Sequence, residues 1–450
     1  MIYNEEELKE LIFKLKKINQ LLFLELSDFY NIDFKSYNFK KDNSKKYNPE
    51  KNNSKDDNTK DNNSKNVSSK INSDIIDGDF SKIKFNSFKI SSVNINNPVI
   101  AAPMAGISDN TYRIFAKYFG CSLTFSEMVT SYGLIYNHEK SFEITKLTDY
   151  EKPCAIQIFG NDANVIAEAA GLIEENADII DINMGCPVPK VLKTKSGGYL
   201  LNEPETIGKI IKKVKRKIKK PVTVKLRIGW DENKINIVEI AKIAESEGVD
   251  AISVHGRTVK QGYSGKADYE YIKKVKSIVN IPVIASGDID NLNKAKWVGE
   301  YTGCDGLMIG RAARGNPWIF LQLLLGLLVS NNNLNIKNYN VKKNIILKKN
   351  QYTLLKFANS SEANDFTNGS DANDNLVNLR FLISNSLKAD YMLLYLKFLI
   401  LFKGEGKAVK EFRKILGWAF KGKKDISSIK HEFFKINTFE DTAKILENLK

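Results

Sequence analysis

The stretch IIDINMGCPVPK, residues 179–190, opens on an apolar run and ends in a turn that sets Cys186 between Gly185 and Pro187. The run is too short for a helix and rich in isoleucine, so it reads as a buried strand delivering a cysteine at its C-terminal end. Runs of the same kind recur along the chain: PVIAA (98–102), LTFSE (123–127), CAIQIF (154–159), VTVKL (222–226), AISVH (251–255), VIAS (283–286) and GLMIG (306–310). Helical patterns separate them, among them ANVIAEAAGLIEEN, PETIGKIIKKVKRKIKK, INIVEIAKIAESEG and ADYEYIKKVKSIV. Eight strands alternating with helices over about 220 residues predict an α/β fold, a (β/α)8 TIM barrel. A doubly wound open sheet is the structural alternative, but it usually carries G-x-G-x-x-G after its first strand, and none follows here.

The bulk numbers agree with one large domain plus a smaller one. The chain has 450 residues, 42% hydrophobic and 27% charged, which suits a globular core and argues against a membrane protein. Its net charge of +15 favours a polyanionic partner, although lysine-rich composition alone is a competing explanation. Cys121, Cys154, Cys186 and Cys304 are widely spaced and form no C-x-x-C pair, so neither a disulfide framework nor a zinc ribbon is expected. With only three histidines, no metal is expected either. The opening MIYNEEELKE is acidic, unlike a secretory signal, and PWIFLQLLLGLLV (317–329) is too short to cross a bilayer. A reduced, cytoplasmic compartment and a monomer are expected.

Two polar stretches interrupt this order. Residues 4–28 form an amphipathic helical pattern, giving an N-terminal helical extension over 1–34. Residues 35–78 are an Asn/Lys-rich segment too poor in apolar side chains to offset its ordering entropy, and are expected to be disordered. The barrel domain then spans 85–330. A C-terminal helical domain spans 331–450, with a low-complexity insertion around 357–375 and a core supplied by ADYMLLYLKFLILF (389–402).

Barrel chemistry gathers at the C-terminal ends of the strands. Taken in order, those ends carry Met104, Glu127, Gln157, Asn183 with Cys186, Lys225, His255 with Arg257, Ser286-Gly287-Asp288 and Gly310-Arg311. Gly287 and Gly310 follow strands seven and eight, where barrels commonly hold a phosphate; Arg311 adds a fork of charged donors. Gln157 both donates and accepts, as the edge of a flavin or a nucleobase requires. Lys225 suits negative charge on a reduced ring. Cys186 itself is open to three readings: reagent, metal ligand or packed thiol.

The motifs APMAGISDNTYR, SEMVTSYGL, QIFGND, DINMGCPVPK, KLRIGW, HGRTVKQGYSGKADY and IGRAARGNPWIF resemble the tRNA-dihydrouridine synthases, in particular the bacterial B-type branch. The resemblance covers roughly 85–330, with a weaker match near 404–421. It implies a barrel bearing flavin mononucleotide (FMN) and a small helical domain that helps hold tRNA, with NADPH or NADH as reductant. It further implies flavin contacts from Pro103, Met104, Ala105, Gln157, Lys225, His255, Ser286, Gly287, Asp288, Gly310 and Arg311. Uracil contacts would come from Asn183, Cys186, His255 and Arg257. The chain departs from the family pattern at Ser286, where Asn is usual, and at Ile415 and Ala419, where His and Tyr are usual.

Reducing the uracil 5,6 double bond needs a hydride at C6 and a proton at C5. A thiol with a pKa of about 8.5 is mostly protonated at neutral pH, so within this resemblance Cys186 is the expected proton donor. The other three cysteines are expected to be structural. The basic run KIIKKVKRKIKK (209–220) reads better as a solvated helix face than as an RNA contact, while Lys407, Lys410, Arg413 and Lys414 are candidates to meet phosphates. A dihydroorotate dehydrogenase-like flavin barrel and a non-catalytic tRNA-binding factor are the competing functions. The first would not need the basic helical appendage, and the second would not need Cys186, Lys225 and His255 together.

Overall fold

The computed structural model describes residues 3–30, 80, 85–331, 385–420 and 430–449. The Asn/Lys-rich segment 35–78 and the insertion around 357–375 lie outside the described residues.

Eight parallel strands form the barrel: β1 (Val99–Ala101), β2 (Thr124–Phe125), β3 (Cys154–Phe159), β4 (Ile179–Met184), β5 (Val222–Arg227), β6 (Ala251–His255), β7 (Val283–Ser286) and β8 (Gly306–Ile309). Each pairs in parallel with its neighbour in chain order from β2 to β8, and β8 pairs back onto β1. The circle closes through a parallel bridge from Ile100 to Leu123, where Ala101 N donates to Leu123 O at 3.0 Å. Short Val/Ile runs flanked by turns thus become strands wrapped by helices. Local capping fixes where those helices start: the Asp109 side chain accepts from Tyr112 N ahead of helix Asn110–Tyr118, and Asp162 accepts from Asn164 N and Val165 N ahead of Ala163–Ile173.

Alternate residues on a strand share one face, and this divides the barrel interior into two zones. At the N-terminal end Ile100, Leu123, Ala155, Ile179, Ala251 and Ile284 form an apolar cluster, plugged by Ile90 and Ile95 of a preceding hairpin, Phe88–Ile90 with Val93–Ile95. Two residues further along the same faces stand Gln157, Asp181, Ser253 and Ser286, all buried. A dry floor therefore supports a polar mouth.

Helix Asn385–Lys403 is largely buried and packs on the first barrel helix. Phe115 meets Tyr395 and Phe398 at ring distances of 4.8 and 5.4 Å, and Phe119 meets Tyr391 at 5.1 Å. The N-terminal helix, Glu5–Tyr30, packs against the same core. Leu8, Leu11, Ile12 and Leu15 are buried in the same core, and Asn19 donates to Tyr118 O at 2.9 Å while accepting from Tyr391 Oη at 2.7 Å. Helix Glu405–Ala419 comes so close to the loop after β8 that a Cβ on Gly315, at φ +62°, would lie 2.6 Å from Ala419 N. Among the described residues, no helix is long and apolar enough to cross a membrane.

Candidate active site

The site is built at the C-terminal ends of the strands. After β1, Pro103 and Met104 are half-buried and Ala105 is exposed on the rim. Ser108 Oγ accepts from Met104 N at 2.6 Å, turning this loop back on itself, and the carboxylate of Glu127 accepts from Gly106 N. Burial pushes the Glu127 carboxyl up, against the pull of that hydrogen bond. Lys414, from helix Glu405–Ala419, donates to Gly106 O at 2.6 Å, so the C-terminal helices brace the rim of the mouth.

Beneath the rim runs a chain of polar side chains on β3, β4 and β5. Asp181 accepts from Gln157 Nε2 and from Thr223 Oγ1, both at 2.6 Å. Gln157 Oε1 accepts from Asn183 Nδ2 at 2.9 Å. Asn183 Oδ1 then accepts from the backbone N–H groups of Cys186 at 2.9 Å and Gly185 at 3.2 Å. Cys186 is partly buried, and burial raises its thiol pKa, opposed by the Val188 backbone and by Arg227 and Lys225. A thiol so placed is protonated at neutral pH. Cys121 and Cys154 are fully buried and are pushed up to about 11 and about 12, as befits packed thiols.

Lys225 lies on the strand beside Asn183 in register. Burial, reinforced by Arg227, lowers it to about 8, and among the described residues nothing accepts a hydrogen bond from its ammonium. His255 is also driven down by burial and by the surrounding cations, Lys225 first among them, and is neutral. Arg257 Nη1 stands 3.3 Å from His255 Nε2. A guanidinium only donates, so this contact makes Nε2 the acceptor and puts the ring proton on Nδ1.

Arg257 is buried, with its donors largely taken: Ser264 O at 3.0 Å, Gly265 O at 2.7 Å, Asp288 Oδ2 at 2.6 Å, and His255. It is therefore placed to orient His255 rather than to offer a free fork to a substrate. Asp288 is likewise committed, to Arg257, to Ala267 N at 2.9 Å and to Arg311 Nη2 at 2.8 Å. Its carboxylate holds two arginines in place. Arg311 also packs over the exposed Tyr263 ring at 4.8 Å, and Arg227 approaches the same ring at 5.6 Å.

The two glycines expected at the phosphate end differ. Gly287, at φ +115°, has no room for a side chain, since a Cβ would lie 2.8 Å from Ala267 and 2.9 Å from His255. At Gly310 a Cβ would meet only Ala102, at 3.6 Å. The open backbone at Gly310, the neighbouring Arg311 and the unpartnered Lys225 ammonium fit an anionic, planar cofactor such as a flavin mononucleotide. Ser286 is buried beside them at the end of β7.

Arg227, Asp181, Thr223 and Tyr263 were not singled out from the sequence. The available signals were a charged residue inside the apolar run IIDIN and a second cation two places after Lys225, on the same strand face. The basic helix Pro204–Lys217 is a solvated barrel face: Lys212, Lys215 and Lys217 pair with Glu247, Asp250 and Glu168 at 3.4, 2.7 and 2.6 Å. Arg413 is not free for phosphate, because it donates to Ile436 O at 2.6 Å and Asn437 Oδ1 at 2.9 Å. Lys407 and Lys410 are exposed. Among the described residues, no three His, Cys, Asp or Glu side chains are grouped to hold a metal ion.

Comparison with known proteins is consistent with this arrangement. The family model for dihydrouridine synthase (Dus) matches residues 99–370. The tRNA-dihydrouridine synthase B of Pasteurella multocida (strain Pm70) is 42% identical over 254 residues, covering 56% of this chain and 76% of that protein. The tRNA-dihydrouridine synthase B of Pseudomonas syringae pv. tomato is 45% identical over 230 residues, covering 51% and 68%. A probable tRNA-dihydrouridine synthase of Rickettsia conorii is 45% identical over 227 residues, covering 50% and 69%. With a parallel barrel whose mouth carries the motif residues, these matches make the chain a B-type member of the dihydrouridine synthase family.

Proposed function

We propose that this enzyme reduces the 5,6 double bond of specific uridines in tRNA, holding FMN in the barrel mouth and drawing electrons from NADPH or NADH. The observation that carries this reading is that Lys225 stands in register beside Asn183, whose side chain in turn holds the backbone of Cys186 at the end of β4.

When bound, FMN would supply the hydride chemistry needed at C6 of the uracil. The chain's own groups do the rest. Gln157 keeps one amide hydrogen and one acceptor lone pair for the ring edge, because Asp181 and Asn183 use only part of its capacity. Lys225, at about 8, is still mostly charged at neutral pH and balances negative charge on the cofactor. Arg311 and the bare backbone at Gly310 would hold the phosphate. Neutral His255 presents Nδ1–H as a fixed donor. The Cys186 Sγ–H would give its proton to C5, and solvent would return a proton to the thiolate. The exposed Lys407 and Lys410 would meet the tRNA backbone, whose phosphates supply most of the affinity.

The test is purification followed by a single turnover. The protein should carry one FMN per chain, and prereduced enzyme mixed with unmodified tRNA should oxidise its flavin and form dihydrouridine. Colourless protein that takes up no added FMN would overturn the reading.

A further inference from the structure

We propose that Asp181 is a positioning residue, whose carboxylate sets the direction of a hydrogen-bond chain through Gln157 and Asn183 that holds the Cys186 turn in place for proton delivery. This rests on the reading of Cys186 as the acid. Asp181 is fully buried, and an apolar Ile179 occupies the position two residues before it on the same strand face. In its ionised form, which prevails above about pH 7, the Asp181 carboxylate only accepts. One oxygen accepts from Gln157 Nε2 and the other from Thr223 Oγ1, so Gln157 must turn Nε2 toward it. That leaves Gln157 Oε1 for Asn183 Nδ2, and Asn183 Oδ1 for the N–H groups of Gly185 and Cys186. The chain runs from an acceptor-only end to a donor-only end. Each amide then has one allowed orientation, and turning either one sets donor against donor and acceptor against acceptor.

The turn is held from other sides as well. A Cβ on Gly185 would lie 3.1 Å from Leu226 C, so the turn lies flat against β5, and Gly198 N donates to Cys186 O at 3.0 Å. Burial pushes the Asp181 carboxyl up to about 7, opposed by Thr223, Gln157 and Lys225. A purely structural core would be served better by an apolar side chain at this position.

The test is Asp181→Asn, which keeps the shape but places an N–H₂ where only acceptors stood. In the FMN-loaded enzyme, the rate of iodoacetamide alkylation at Cys186, followed by peptide mass spectrometry, should rise about threefold to tenfold, the scale of one released hydrogen bond. Single-turnover uridine reduction should fall about tenfold to a hundredfold, while NADPH reduces the flavin at nearly the parent rate. In a Cys186→Ala background the same substitution should change uridine reduction less than about twofold, because both act through one step. Parent alkylation together with parent turnover, or an equal loss in the Cys186→Ala background, would overturn the proposal. If Asp181→Asn does not fold, Gln157→Met cuts the same chain one link later; an unchanged alkylation rate there is equally fatal. A Cys186→Ala enzyme as fast as the parent overturns the thiol's role instead, and the alkylation rate still reports whether Asp181 holds the turn.

Discussion

Arg257 and Asp288 form an ion pair with Nη2 and Oδ2 2.6 Å apart, and the other carboxylate oxygen of Asp288 binds Arg311 at 2.8 Å. One carboxylate at the end of β7 thereby fixes a guanidinium from the loop after β6 and another from the loop after β8. The first sets the tautomer of His255, and the second stands just after Gly310 at the end of β8, where we propose the cofactor phosphate sits.

Asp288→Asn should loosen both arginines at once. Burial alone would raise the Asp288 carboxyl, but the Arg257 hydrogen bond, Ala267 N–H and the two positive charges hold it below its ordinary value. A depressed folded pKa stabilises the native state above the unfolded value of about 3.9 and loses that stabilisation as pH falls through the folded value. The variant should be less stable than the parent by about 1–3 kcal/mol near neutral pH, with the difference fading as pH falls through the depressed folded value. Urea unfolding across pH checks this, and FMN affinity should weaken in parallel.

Gly310→Asp should abolish flavin retention without unfolding the chain, since it sets a carboxylate against the phosphate position. Gly310→Ala is the control and should stay yellow, because its Cβ makes only an ordinary contact with Ala102 at 3.6 Å. Gly287→Ala should instead destabilise the fold, for want of space and at a positive φ. Flavin absorbance after gel filtration and thermal melts separate the three.

Lys225→Met should separate stability from chemistry. A lysine depressed to about 8 costs the fold stability wherever the unfolded chain would hold that proton. The cost begins near pH 10.4, grows down to about pH 8 and is constant below it. The apo variant should therefore be more stable than the parent at neutral pH, by about 1–3 kcal/mol, with the two converging above about pH 10. Uridine reduction should nevertheless fall at least about a hundredfold. An apo variant less stable than the parent at pH 7 would contradict the burial argument.

Cys186→Ala should leave NADPH reduction of the flavin near normal and slow uridine reduction by about 10²–10⁴-fold, the scale of a lost general acid. Binding of tRNA should persist, as one thiol adds little beside many phosphate contacts. Single-turnover flavin oxidation by unmodified tRNA is the measurement.

Replacing Lys407 and Lys410 together by Ala should flatten the salt dependence of tRNA binding and leave the flavin in place. Arg413→Ala should behave differently. Its guanidinium ties helix Glu405–Ala419 to Ile436 and Asn437, so its loss should lower the melting temperature. Filter binding at several salt concentrations and calorimetry distinguish the two effects.

Much of this was legible in the chain itself, because strand length and apolar character are local properties. CAIQIF, AISVH and VIAS coincide with β3, β6 and β7, and the run IIDIN extends by only Met184 in β4. The residue types at the strand ends followed from the same count. Tertiary structure decided what those residues are free to do. Register between strands brings Asp181 to Gln157 and Thr223, and no periodicity within one strand can express that meeting. The amphipathic pattern of the N-terminal helix demanded a partner without naming it; packing chose Tyr118 and Tyr391 through Asn19. Arg257 stands where a substrate contact was expected, yet four of its five N–H donors are taken by Ser264, Gly265, Asp288 and His255. Residue type and position are written in the sequence, but the occupancy of a donor depends on which distant acceptors folding sets beside it.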